Sequence, residues 1–129
     1  MSLRSPVGRV LGTGPAGHGS GRWWAQRVSA AALIPLCLWF VCSLLALPAL
    51  DFGAAQTWLA LPWNGFLAAL LVAVLTCHSY LGTVEVVEDW VHGAAVKITF
   101  LLLLQCIYVL TGGASLYAIL RVALGTRAP

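Results

Sequence analysis

An all-α membrane protein with three transmembrane helices is predicted by two features of this sequence. Of its 129 residues, 60% are hydrophobic and only 9% are charged. A soluble domain carries about a quarter charged residues, so this chain lacks the charge to coat a water-facing surface. Three apolar runs, about 28–50, 64–87 and 96–120, also each approach the ~20 residues needed to cross a bilayer.

Residues 1–26 read as a flexible basic arm. Four glycines and a proline fall between Leu11 and Gly19, with no apolar stretch of the kind a secretory signal requires. The membrane domain follows over 27–121, entered through WWAQRVSAAALIPL, where Pro35 is expected to kink the first span. Trp23 and Trp24 are expected in the interfacial aromatic belt. The first connection, PALDFGAAQTWLALPWN, carries Pro48, Gly53, Pro62 and Asn64 as breakers and Trp58 and Trp63 as interface anchors. EDWVHGAAVK makes a short polar turn between the second and third spans, and 122–129 form a short tail. Cys37, Cys42, Cys77 and Cys106 lie inside apolar runs with no CxxC spacing and read as small packing residues.

Basic residues near the span ends set the orientation. Arg4, Arg9, Arg22, Arg27 and Lys97 fall on one side, against Arg121 and Arg127 on the other. The N-terminus is therefore expected inside and the C-terminus outside, which places the EDW corner beside the inner end of the first span.

The second span holds the ionisable groups. At ~100° per residue, positions i, i+4, i+7 and i+11 share one helix face, and counting from His78 these are Gly82, Glu85 and Asp89. Charged groups near the bilayer centre cost at least ~2.5 kcal/mol each, so this stripe should face protein, cofactor or water. A hydrogen-bonded packing histidine with a solvated helix end accounts for the pattern about as well as a binding site does. Gly82 tips the balance modestly, because it removes side-chain bulk one turn from the imidazole. Neutral imidazole is a good axial ligand for haem iron. The other histidines, His18 and His92, are not at comparable depth, so a second axial histidine would come from a partner chain. Arg27, at the inner mouth of the first span, suits a snorkelling anchor and also bidentate recognition of an anion such as a haem propionate.

Together, RVSAAAL (Arg27 to Leu33) and HSYLGTVEVVEDW (His78 to Trp90) resemble the smaller hydrophobic membrane anchor of succinate dehydrogenase, respiratory complex II, in its alphaproteobacterial or mitochondrial-like branch. The family pattern sets a His, a Gly four residues on, then an Asp and an aromatic eleven and twelve residues on; His78, Gly82, Asp89 and Trp90 match it. The resemblance covers about Gly21 to Leu120. It implies a non-catalytic subunit, with no catalytic residue of its own, that docks an iron–sulfur subunit and a flavoprotein subunit to the bacterial inner membrane. It further implies a haem b shared with a second membrane anchor subunit, and reduction of ubiquinone or another quinone in the respiratory chain and tricarboxylic acid cycle. His78 would be the axial ligand to the haem iron, Gly82 would leave room for the ring, and Arg27 would contact a propionate. Asp89 and Trp90 would belong to the quinone pocket, and Glu88 or His92 could join a proton path from the inner side. Family members usually carry Tyr where this chain has Trp90; the indole N–H can still donate a hydrogen bond, but from another position and without a phenolic proton. No nucleic acid is expected as a partner, only lipid and protein. Two other readings compete: a small proton-conducting or transporter subunit using the Glu85 stripe, and a purely structural anchor without haem.

Overall fold

The computed structural model describes residues 19–125, which form four helices: α1 (Gly19–Leu45), α2 (Phe52–Ala60), α3 (Pro62–Trp90) and α4 (Ala94–Ala123). No strand occurs among the described residues. The three long helices, of 27, 29 and 30 residues, are apolar enough to cross a membrane. At ~1.5 Å per residue they measure ~40–45 Å, the thickness of a bilayer including its headgroup layers. This explains why they outrun the spans expected from hydropathy: apolar residues mark the hydrocarbon slab, while backbone hydrogen bonding continues through the interface.

The extension is largest at the start of α1, where residues 19–26, expected as part of the arm, are helical. Arg22 in this added turn reaches Glu88 on α3, so the extension is tied down from outside. Residues 1–18 and 126–129, with Arg4, Arg9, His18 and Arg127, lie outside the described residues. At its other end α1 stops at Leu45, ahead of Pro48, rather than at residue 50; between these ends it runs through Pro35 without interruption.

The first connection is also more ordered than its breakers suggest. Asp51 adopts extended backbone and its Oδ1 accepts from the Ala54 N–H at 2.7 Å, an N-cap that starts α2. A single residue, Leu61, ends α2 and precedes α3, whose first position is Pro62; proline suits that position because its missing N–H is not needed there. Asn64 Nδ2 donates to Trp58 O across the corner at 3.1 Å. Trp63 is 69% exposed, as an interfacial anchor should be. Trp58 instead stacks on Trp39 of α1, with centroids 5.5 Å apart, and meets Phe40 edge-on, fastening α2 to the first span. α3 likewise runs on through the EDW corner to Trp90, leaving only Val91–Gly93 as the turn.

The long helices form an open row and not a closed bundle. α3 packs against α1 on one flank and α4 on the other, while α1 and α4 do not pack on each other. Close approach of α3 and α4 depends on small residues, as is usual between membrane helices: Gly112 is buried against Thr76, and Gly65 against Ala123 and the Leu59 carbonyl. Within their most apolar windows, 6% of α1, 17% of α3 and 0% of α4 is buried. Helices in this arrangement leave nearly all of their surface to lipid or to other chains. The four cysteines are free thiols on that exposed surface, not contacts inside the row.

Candidate functional site

His78 lies near the middle of α3, half-buried against α1. Its Nδ1 is 2.9 Å from Ser29 Oγ, and Ser29 Oγ donates to the Gln26 carbonyl one turn earlier at 3.0 Å. A hydroxyl has one hydrogen. A hydroxyl hydrogen given to the carbonyl leaves Oγ able to accept from an Nδ1–H, the arrangement in which Nε2 would keep its lone pair. Ser29 is itself buried.

His78 and Gly82 share an open cleft of about 460 Å³ with Gln26, Ser79, Thr83, Val86 and Tyr108. Spacing predicted that the first two would share a face, and they do. Gly82 has a second consequence: a Cβ there would stand 3.3 Å from Gln26 Nε2, so the glycine also lets the α1 amide come close. Gln26 Oε1 is buried without a hydrogen-bond partner. On the α4 side, Thr83 Oγ1 donates to Ser79 O at 2.8 Å. Thr83 Oγ1 and Tyr108 OH also share a hydrogen bond across 2.9 Å. Tyr80 meets Tyr108 edge-on with centroids 5.7 Å apart.

Toward its C-terminal end the stripe separates. Glu85, Asp89 and Trp90 are exposed, Trp90 by 80%, and the row does not gather them with His78. The engaged carboxylate is Glu88, off the stripe: its Oε1 takes Arg22 Nη1 at 2.9 Å, while Lys97 Nζ donates to its backbone carbonyl at 2.7 Å. Cations from α1 and α4 thus converge on the C-terminus of α3, where the helix dipole favours positive charge. The side chains of Arg22 and Glu88 are about two-fifths exposed, so water screens the pair; Glu88→Gln is expected to lower thermal stability by no more than about 1 kcal/mol. Lys97→Ala, which uncovers the end carbonyl, should add a separate loss. Melting the two single variants and the double variant checks whether the losses add.

Arg27 points elsewhere: it is exposed and lies over the Trp23 ring, 5.3 Å from the centroid. Trp23 and Trp24 are both exposed, consistent with the belt. His92 is exposed in the turn. Among the described residues no group of three or more His, Cys, Asp or Glu could hold a metal ion.

Sequence reasoning missed Ser29, Gln26 and Arg22, although a signal was present. They fall at i, i+4 and i+7 on α1, the same spacing rule that exposed the His78 stripe on α3.

A chain built as an open row of three long apolar helices, with almost no core of its own, is a multi-pass helical membrane protein. It belongs to the succinate dehydrogenase/fumarate reductase transmembrane subunit family, whose pattern matches residues 1–112. Two relatives are similar over nearly their whole lengths. A succinate dehydrogenase hydrophobic membrane anchor subunit of Rickettsia bellii (strain RML369-C) is 30% identical over 119 residues, covering 91% of this chain and 94% of that protein. One of the same description from Rickettsia conorii (strain ATCC VR-613 / Malish 7) is 24% identical over 110 residues, covering 84% and 87%.

Proposed function

We propose that this chain is the hydrophobic membrane anchor of a bacterial succinate dehydrogenase, placed in the inner membrane with its N-terminus inside, and that it supplies one axial histidine to a b-type haem. The observation that carries the haem reading is His78: an imidazole in mid-span, its Nδ1 within 2.9 Å of Ser29 Oγ, with an open cleft beside it. Bound there, the haem would supply a one-electron redox centre near the route from the iron–sulfur subunit to a quinone. This chain's residues do the holding. His78 offers the ligating nitrogen, Gly82 keeps the wall of the cleft low, and Gln26 lines it from α1.

The second axial histidine comes from the other membrane anchor, and the bare flanks of α1, α3 and α4 give that partner its surface. Arg27, in its stacked position over Trp23, is available to a propionate at the inner edge. Asp89 and Trp90, at the exposed end of α3, form part of the wall of a quinone pocket that partner chains close. Trp90 offers an indole N–H there where relatives of this type offer a phenol. Glu85 is exposed on the outer surface of the row.

The test is a reduced-minus-oxidised spectrum of the four-chain complex, purified through a tag on this chain after co-expression. A b-type α-band at one haem per copy of the chain is expected. An assembled complex without that band would overturn the haem and leave a purely structural anchor.

A further inference from the structure

We infer that Ser29 is the positioning residue of the His78 ligand. It locks the imidazole in the Nδ1–H form and thereby selects Nε2 as the iron-binding nitrogen. The inference deepens the haem reading above and rests on it.

Three observations converge. Ser29 Oγ is within hydrogen-bond distance of both His78 Nδ1, at 2.9 Å, and the Gln26 carbonyl, at 3.0 Å, so its one hydrogen has a taker other than the ring. Ser29 is buried, so water does not compete for its oxygen. The contact also spans two helices, α1 and α3, which are held together independently by the Arg22–Glu88 pair and by their packing along the row. Ring rotation would therefore cost the hydrogen bond while the helices stayed in place. A ligating histidine commonly donates its other N–H to a neighbouring acceptor, which fixes tautomer and orientation and raises the basicity of the ligand. In this chain the acceptor is a side chain on another helix, not a carbonyl or carboxylate of α3. Gln26 completes the relay: its carbonyl holds the hydroxyl proton, and its side chain stands over Gly82.

Basicity gives the sign. An Nδ1–H that donates to oxygen pushes electron density into the ring and favours ferric iron. Without the acceptor the midpoint potential moves to more positive values.

The experiment compares Ser29→Thr with Ser29→Val in the purified complex. The two side chains have the same branched shape and differ in the hydroxyl alone. Three readouts are taken: the haem midpoint potential, the largest g-value of the ferric electron paramagnetic resonance signal, and the rate of haem transfer to a scavenging apoglobin. Ser29→Thr should stay close to wild type in all three. Ser29→Val should show a more positive midpoint, a displaced g-value and haem transfer about 10-fold faster, at the lower end of what loss of an outer-shell partner usually costs in affinity. Ser29→Ala stands in if the valine variant fails to assemble, with the same expected direction. If the hydroxyl-free variant assembles and matches wild type in potential and g-value, the role assigned to Ser29 is overturned while the haem reading stands. If wild type itself carries no b-type haem, both fall together, and that result is plain before any Ser29 variant is made.

Discussion

Replacing His78 with leucine is expected to abolish the low-spin bis-histidine haem spectrum while the complex still assembles. The two halves of that result have separate physical grounds. Assembly should survive because leucine is close in size, apolar and a strong helix former. The substitution forfeits one hydrogen bond, worth about 1 kcal/mol net, and orphans no buried group, since Ser29 keeps its bond to the Gln26 carbonyl. Haem binding should fail because leucine offers iron no donor, and the described residues hold no ligand cluster to substitute for it. The loss should exceed the roughly 10–100-fold that follows removal of an outer-shell partner. Immunoblotting for all four chains of the complex separates loss of haem from loss of assembly. An assembled His78→Leu complex with an unchanged low-spin spectrum would take His78 off the iron.

The contrast between His78 and its neighbours shows what a sequence of this kind discloses. The three spans were legible because a bilayer imposes a length and a composition that few other environments demand. The shared face of His78 and Gly82 was legible because it depends only on the 3.6-residue repeat within one helix. Their cleft has a second wall on α1, and Gln26 and Ser29 belong to it by the same repeat. What hid them is rotational: serine and glutamine are ordinary residues until it is known which face of α1 turns toward α3. Helix ends were misplaced for another reason. Hydropathy reports the hydrocarbon slab, whereas the Asp51 side chain and the Leu61 and Val91 backbone N–H groups bound the helices through hydrogen bonds in a zone where polarity is no longer informative. Glu88 was masked by Asp89, its neighbour in sequence. Only the position of Arg22, in a turn expected to be unstructured, decides which of the two carboxylates is held.

Gly112 and Gly113 should respond in opposite directions to the same substitution, and the difference tests the α3–α4 seam directly. Both lie inside α4, so alanine gains the same helix propensity at either, up to about 1 kcal/mol. At Gly113 the new Cβ meets nothing within 4 Å, and that gain should appear as a higher melting temperature of the detergent-solubilised chain. At Gly112 the Cβ would fall 2.8 Å from Thr76 Cγ2 and 3.3 Å from its Oγ1. Thr76 has little freedom to turn away, because a β-branched side chain in a helix has few rotamers. The helices must then part, and overpacking of this kind costs about 1–3 kcal/mol, enough to cancel or exceed the propensity gain. Adding Thr76→Ser removes the offending methyl and retains the hydroxyl, so the Gly112→Ala/Thr76→Ser pair should recover most of the loss, a coupling that a double-mutant cycle measures. Equal melting shifts for the two alanine variants would mean that Gly112 does not set the separation of α3 and α4. The position of Tyr108 over the His78 cleft, carried by that same seam, would then need another cause.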